Sequence, residues 1–176
     1  MNPLDQWIDK HSDILKQDIK SVSFHLSIDS EIYDTWKDSI IFGKITVGKK
    51  KQFRFEMGPR TVVSDGTVWK IYDERTDQIF IQDPDKQLEK SLFSWVKYKR
   101  LKALPVKMEN DGGYRITLLG KENDVRAYFN PVTNELKSIV IIQNDFKSNF
   151  FKITLSIEET LNLIIGRNSS VSFDLR

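Results

Sequence analysis

The sequence predicts a mainly β fold to which two amphipathic helices are added. The first indication is a two-residue apolar alternation that begins after Lys20 and returns in segment after segment. The second is the shortness of the turns, such as "NDGG" and "NPVTNE", because short turns join antiparallel neighbours. The third is that helical spacing is confined to two stretches. A sheet of about ten strands tends to curl toward a barrel or to fold into two layers.

The two helical stretches are residues 1–20 and about 86–101. Pro3 suits the first turn of the first helix, and Asn2 is placed to cap it. Each helix carries an apolar stripe at helical spacing, which predicts that each covers one side of the sheet. The stripes are Leu4, Trp7, Ile8, His11, Ile14, Leu15 and Ile19 in the first helix, and Leu88, Leu92, Trp95 and Val96 in the second.

The strands occupy most of residues 21–157. In the first, Val22, Phe24, Leu26 and Ile28 share one face and serines with His25 share the other. The tail, residues 158–176, is expected to hold a short helix, a stop at Gly166 and a last short strand. No linker or repeat interrupts the chain, so we expect one domain over residues 1–176. A hairpin over residues 60–73 supplies two more strands, and the other predicted strands lie at 39–47, 51–57, 78–83, 113–119, 124–129, 135–143 and 149–157.

The hairpin "RTVVSDGTVWKIYD", residues 60–73, contains Ser64 and Asp65, which resemble a small polar site. Asp65-Gly66 is also a favoured two-residue turn, and this interpretation is preferred because no base lies at a suitable spacing from Ser64. A two-residue turn sets Val62 opposite Trp69. One face then carries Arg60, Val62, Trp69 and Ile71, and the other Thr61, Val63, Val68, Lys70 and Tyr72. Since neither face is cleanly polar, we expect partial cover on both sides.

The composition excludes several kinds of chemistry. The 176 residues include no cysteine and two histidines, and the net charge is +2. Thiol catalysis, disulfides and a His-rich metal site are excluded, and nucleic-acid binding is not indicated. The acidic turns Asp73-Glu74 and Asp83-Pro84-Asp85 lack the calcium-loop pattern. We expect no catalytic residue, metal or cofactor.

The start "MNPLDQWIDK" is not a signal peptide, and no apolar run approaches the ~20 residues of a membrane span. The chain is therefore either cytosolic or a mature chain with a start Met added. Aromatic residues are abundant, with eleven Phe, five Tyr and four Trp. They form either an ordinary core, which composition alone favours, or the lining of an apolar cavity between the sheet and its helices.

The stretch "GKITVGKKKQFRFEMGPRTVVSDGTVWKIYDERTDQIFI", residues 43–81, resembles the LolA family of periplasmic lipoprotein carriers. The family shows a strand beginning with Gly, a basic loop, a Phe-Arg-Trp-like strand end and a "VSDGKTLWIYDP" hairpin. "FNPVTNELKSIVIIQND", residues 129–145, is similar to its late strands. The likeness extends from about Ser21 to Ile157.

The resemblance implies an unclosed antiparallel β-barrel, or half-barrel, whose helices form a lid over an apolar cavity. A monomeric chaperone of this kind holds the acyl chains of lipoproteins in the periplasm, with its signal peptide removed. It receives them from a LolCDE-like inner-membrane ABC transporter and delivers them to a LolB-like outer-membrane acceptor, without covalent chemistry or a cofactor. The expected cavity residues are Trp7, Ile8, Phe24, Phe42, Ile45, Phe53, Phe55, Val62, Trp69, Ile71, Leu92 and Trp95, and Lys49 and Lys50 are the expected release contacts.

The chain departs from the family pattern in three places. The basic loop of the family has Arg followed by Pro, where this chain has Lys49 and Lys50, and lysine lacks the planar donor geometry of arginine. The family's Trp aligns with Lys70, so Trp69 stands one residue earlier. A one-residue shift reverses the face of a strand, and Trp69 is therefore expected to point into the cavity. The family's long C-terminal extension is not evident beyond Ile157.

Three alternatives stay open. The first is a LolB-like acceptor, or a periplasmic binding protein for another lipid or glycolipid. An acceptor of that type is lipidated on an N-terminal cysteine, which this chain lacks. The second is a hydrolase of lipid-like esters, against which the lack of a Ser, His and Asp set counts. The third is an adaptor domain with a filled core.

Overall fold

The computed structural model describes residues 2–30, 39–86, 104–116, 124–143 and 146–176, together with Glu89, Phe93 and Lys102. Lys86, Glu89, Phe93 and Lys102 are helical. Two short helices and twelve strands have defined bounds. They are α1 Pro3–Lys10, α2 Ser12–Leu15, β1 Lys20–Ser30, β2 Ile40–Val47, β3 Phe53–Met57, β4 Arg60–Ser64, β5 Trp69–Asp73, β6 Gln78–Gln82, β7 Val106–Met108, β8 Tyr114–Ile116, β9 Asp124–Phe129, β10 Leu136–Gln143, β11 Phe146–Ile157 and β12 Val171–Asp174.

The twelve strands form one sheet in the order β12-β6-β5-β4-β3-β2-β1-β11-β10-β9-β8-β7. Neighbours are antiparallel, except that β12 runs parallel to β6. The end strands β12 and β7 do not pair with each other, so the sheet stays open. The predicted unclosed half-barrel with a helical lid is confirmed.

The strand registers carry one set of alternate residues across the whole sheet. We call the side that bears Phe24 the inner face and the opposite side the outer face. Most large apolar side chains lie on the inner face. It carries Val22, Phe24 and Leu26 in β1, Ile45 and Val47 in β2, Phe53 and Phe55 in β3, Val62 in β4, Trp69 and Ile71 in β5, Phe80 in β6, Ile116 in β8, Val125 and Ala127 in β9, Ile139 and Ile141 in β10, Leu155 in β11 and Phe173 in β12.

Two separate covers lie on the inner face. Helices α1 and α2 bury Leu4, Ile8 and Leu15 against the β8–β10 part of the sheet. Phe93 packs against Phe53 and its neighbours in β2–β5. A fully buried side chain of the size of Ile or Leu stabilises by about 1.5–3 kcal/mol. Each cover is therefore held mainly by a few apolar contacts.

The N-terminal helix is shorter than the sequence predicts. The single helix expected over residues 1–20 is two helices, and strand β1 already begins at Lys20. The break falls at His11, whose backbone leaves helical geometry at φ −101° and ψ 15°. His11 Nδ1 lies 2.8 Å from the carbonyl oxygen of Trp7, so its ring competes for a helical acceptor. The cap at Asn2 is confirmed, since its side chain accepts from the Asp5 amide at 2.8 Å.

The predicted helix in the tail is wrong, because residues 158–170 form neither helix nor strand. Arg54 donates to the carbonyl oxygens of Ile164 and Asn162 at 2.8 and 3.4 Å, which removes two acceptors from a helix. The Asn162 side chain also accepts from the Ile164 amide at 2.9 Å. The predicted last strand is confirmed as β12, whereas β7 was not predicted. Leu88, Leu92, Trp95 and Val96 lie outside the described residues.

The irregular segment of residues 158–170 covers part of the outer face. Leu163 lines a small cleft with Val63 and Lys70, and Val63 is buried. Ser169 and Ser170 donate to the Asp77 carboxylate at 2.9 and 2.6 Å, which secures the end of this tail beside β6. The expectation that the hairpin of residues 60–73 is covered on both sides is thus confirmed.

Gly43 provides a test of the inner-face register. It lies opposite Phe24, and a Cβ at Gly43 would overlap the Phe24 ring. We expect Gly43→Ala to lower the free energy of unfolding by about 1–3 kcal/mol, because the ring must leave its place. Chemical denaturation measures this loss. The control Ile40→Ala removes an exposed side chain from the same strand and should change stability by less than about 0.5 kcal/mol. Equal effects of the two substitutions would contradict the register.

Candidate functional site

The turn between β4 and β5 differs from the predicted two-residue turn. Ser64 lies opposite Trp69 and Val62 opposite Ile71, so the turn spans four residues, 65–68. The prediction set Val62 opposite Trp69, a shift of two residues. A shift of two keeps every side chain on its face, and Val62, Trp69 and Ile71 therefore share the inner face as expected.

Ser64 and Asp65 build this turn. Ser64 is 1% exposed and its Oγ accepts from the Gly66 amide at 3.0 Å. Asp65 accepts from the Thr67 hydroxyl at 2.7 Å and from the Thr67 and Val68 amides at 2.8 and 3.2 Å. These donors, the hydroxyl first, lower the pKa of Asp65. The two side chains replace the hydrogen bonds of a tighter turn, and the structural interpretation of "SDG" is confirmed.

Phe53 is the centre of an aromatic cluster on the inner face. Its ring meets that of Trp69 edge to face, with centroids 5.5 Å apart, and that of Phe93 at 6.0 Å. Such edge contacts are favourable beyond the area they bury. The structure thus brings together five of the predicted cavity residues beneath Phe93: Ile45, Phe53, Phe55, Val62 and Trp69.

The other predicted cavity residues lie elsewhere. Ile8 and Trp7 belong to the cluster under α1. Phe24 is buried near the middle of the sheet, where its ring meets Phe150 edge to face. Ile71 is half-buried on the inner face. Leu92 and Trp95 lie outside the described residues.

Phe42 does not lie with this group. It is on the outer face, 58% exposed, where its ring contacts His25. The inward position in this part of β2 belongs to Gly43, whose missing side chain leaves space for Phe24. The aromatic residue next to a glycine in "IFGK" therefore points away from the inner face.

The inner-face residues that were not predicted as part of the site include Phe80, Phe150 and Phe173. Phe80 and Phe173 stack with centroids 5.4 Å apart, and Phe173 is 40% exposed. Strict alternation identifies Phe80. It fails for Phe150, because the register with β1 shifts at a bulge near Lys152, whose φ is +50°. The pairing of β12 with β6, which brings Phe173 to the site, has no local sequence signal.

The basic loop between β2 and β3 contacts both covers. Lys49 Nζ lies 3.3 Å from the Asp18 carboxylate, just after α2. Lys51 Nζ lies 2.7 Å from Glu89 Oε1, one helical turn before Phe93. We call these two ion pairs the latches. Lys50, predicted with Lys49, is a left-handed turn residue whose carbonyl packs against Gly66, and Lys51 makes the second contact instead.

Lys20 is a buried cation at the edge of the inner face. It is 3% exposed, and its Nζ donates to the carbonyl oxygen of Leu15 at the end of α2. Burial lowers the pKa of Lys20, and the nearby Asp18 carboxylate opposes that shift. This contact ties the end of α2 to the first residue of β1.

The outer face has a different character. A cleft of about 230 Å³ lies there between the tail and the sheet, lined by Arg54, Thr61, Tyr72, Glu74 and Arg167 among others. Its charged lining does not suit an acyl chain. Within the described ranges, no group of three or more metal-ligating side chains occurs. No helix in the same ranges is long and apolar enough to span a membrane.

A solved structure shares this fold over almost its whole length. An uncharacterised conserved protein from Thermus thermophilus aligns over 97% of this chain and 98% of its own, with a TM-score of 0.52 and 9% identity. A LolA superfamily protein from Nitrosomonas europaea aligns over 91% and 96%, with a TM-score of 0.44 and 6% identity. A DUF1329 family protein from Desulfovibrio piger aligns over 92% and 96%, with a TM-score of 0.43 and 7% identity. No protein-family model matches the chain. No curated protein matches it in sequence.

Phe53 and Phe42, both predicted cavity residues, allow a matched test of the inner face. We expect Phe53→Ala to lower the free energy of unfolding by about 3–5 kcal/mol, because it empties the centre of a buried aromatic cluster. Phe42→Ala removes the same atoms from an exposed outer position and should cost less than about 1 kcal/mol. Urea denaturation of the two variants measures the difference, and similar losses would refute the assignment of faces.

Proposed function

We propose that this protein is a periplasmic carrier that binds the acyl chains of lipoproteins against its inner face and transfers them toward the outer membrane. Binding is non-covalent, and the chain acts as a chaperone rather than as an enzyme. The observation that carries the proposal is an inner face that is apolar in β1–β6 and in β8–β12, on a sheet that does not close. No second sheet packs on this face within the described residues, so a flexible apolar ligand that displaces the covers gains its apolar area.

The energetics favour acyl chains. Removing each methylene from water contributes about 0.8 kcal/mol, so a lipoprotein with several chains gains strongly from an apolar surface. A part of this gain must be offset if cargo is to leave. Closing the covers over the empty face supplies the offset, because Ile8, Leu15 and Phe93 then bury the same kind of surface that the acyl chains bury.

The latches make opening possible at a small cost. Lys49 and Asp18 are both largely exposed, and such ion pairs contribute ~0–1 kcal/mol. Lys51 is exposed, whereas the Glu89 side chain is nearly buried. Breaking this ion pair therefore leaves a carboxylate that has to reach water. The ion pairs therefore add to the apolar contacts of the covers an interaction that a partner or an anionic surface can compete for.

The partners and compartment follow from the sequence resemblance to LolA proteins. By that resemblance, a LolCDE-like ABC transporter loads the carrier and a LolB-like acceptor unloads it. The chain is then a monomer of one domain, with the covers as the lid. A LolB-like acceptor role, or a carrier role for another lipid or glycolipid, uses the same inner face and differs only in the cargo and in the direction of transfer.

The direct test is binding of a synthetic triacylated lipopeptide, measured by native mass spectrometry and by displacement of a fluorescent lipid. We expect a complex of one chain with one lipopeptide, and no binding of the same peptide without its acyl chains. A Phe55→Glu variant places a charge on the inner face and should weaken binding at least roughly tenfold, since an uncompensated buried charge is costly. If neither assay detects the acylated peptide, the proposed function is wrong.

The latches give a second prediction. The variant Lys49→Ala/Lys51→Ala should raise the opening equilibrium of the covers at least roughly threefold. The exposed Lys49–Asp18 pair contributes about 0.3–0.5 kcal/mol, and the pair of Lys51 with the buried Glu89 contributes at least as much. Hydrogen exchange of peptides that contain α1–α2 and Phe93 measures the opening. Raising the salt concentration should act in the same direction, because salt screens exposed charges.

The control Lys70→Ala/Lys147→Ala removes the same charge from exposed outer-face positions. Exchange in α1–α2 and around Phe93 should then stay at the wild-type rate. A control that opens the covers as much as the latch variant would show that overall charge, and not the two ion pairs, holds them closed.

A further inference from the structure

Trp69 carries a buried hydrogen-bond donor that the fold does not use. The residue is 7% exposed, and its indole Nε1 has no hydrogen-bond partner. Buried tryptophan N–H groups usually find an acceptor, because an unmet donor loses its hydration without compensation. Trp69 lies on the inner face, inside the cluster of Phe53, Val47 and Phe93. The donor is therefore polar and unmet within an otherwise apolar site.

The nearby polar groups already have partners of their own. Ser64, directly opposite Trp69 in the sheet, accepts from the Gly66 amide at 3.0 Å. Glu89, close to Phe93 in the chain, accepts from Lys51 at 2.7 Å. These groups are engaged in the turn and in a latch. Since neither group accepts from the indole, Trp69 Nε1 is left as a donor whose acceptor a bound ligand can supply.

We propose that Trp69 Nε1 donates a hydrogen bond to the carbonyl oxygen of a bound acyl ester, and so fixes where the head of the acyl chain lies on the inner face. This inference rests on the proposed function, because it assigns the polar contact within the same site. A fatty acyl ester has one strong acceptor, its carbonyl oxygen, followed by a purely apolar chain. An ester carbonyl followed by an apolar chain therefore suits the Trp69 N–H, which is a single donor in a cluster with Phe53, Phe55 and Val62.

The arrangement predicts chemical selectivity. An ether lipid has the same chains and a similar shape but lacks the carbonyl oxygen. It would bury the same apolar area and leave the indole N–H unmet. A site with a buried donor discriminates against a ligand that lacks the acceptor, whereas apolar contacts alone do not distinguish the two lipids. The protein should therefore prefer the ester.

The test compares diheptanoyl phosphatidylcholine with its diheptyl ether analogue, both below their critical micelle concentrations, in competition with a fluorescent alkyl probe. The wild-type protein should bind the ester about fivefold more tightly, as one net hydrogen bond implies. In Trp69→Phe, which keeps an aromatic ring and removes the N–H, the ratio should fall to about one. The control Trp7→Phe, in the separate cluster under α1, should keep the wild-type ratio.

A second measurement does not depend on any variant. The indole N–H resonance of Trp69 in a ¹H–¹⁵N spectrum of the wild-type protein should move downfield on titration with the ester, and much less with the ether. Failure of both lipids to bind the wild type would contradict the proposed function itself. Binding of both without an ester preference, or a preference that survives in Trp69→Phe, would overturn the assignment to Trp69 while leaving the carrier function intact.

Discussion

The alternation of side chains along the strands is the constraint on which the rest of the structure depends. Successive residues of a strand point to opposite faces, and the registers keep Phe24, Phe53 and Trp69 on the same face of the sheet. Because the sheet remains open, this face cannot bury itself by closure into a barrel. It has to be covered by helices or by a ligand. The proposed carrier function rests on a competition between those two.

The basic loop between β2 and β3 connects the two covers. The cover at α1–α2 and the cover at Phe93 lie on different parts of the inner face, yet Lys49 and Lys51 of a single loop reach both. The same loop packs against the β4–β5 turn through the carbonyl of Lys50, opposite Gly66. That turn sets the position of Trp69. The loop thus contacts both covers and the turn that precedes Trp69.

Two-residue alternation is a local signal, and it predicts most of the strands and many inner-face residues. The open form of the sheet was predicted only from the resemblance to LolA proteins. Val62, Trp69 and Ile71 lie on the predicted face even though the turn is four residues long. The observed register differs from the predicted one by two residues, and a shift of two leaves each side chain on the same face. Phe42 was misplaced because its own strand has a glycine at the inward position. Phe150 and Phe173 depend on a bulge and on a pairing between distant strands, and neither leaves a local signal. The helix predicted in the tail fails because Arg54, distant in sequence, captures its carbonyl oxygens.

Mapping a photoreactive acyl chain tests the central claim most directly. A lipopeptide that carries a diazirine on one acyl chain would be bound, irradiated and located by peptide mass spectrometry. We expect attachment on the inner face, at Phe53, Phe55 and Val62 and in the peptide that contains Phe93. Attachment at Phe42 and Phe151 on the outer face, with the inner-face peptides unmodified, would contradict the account.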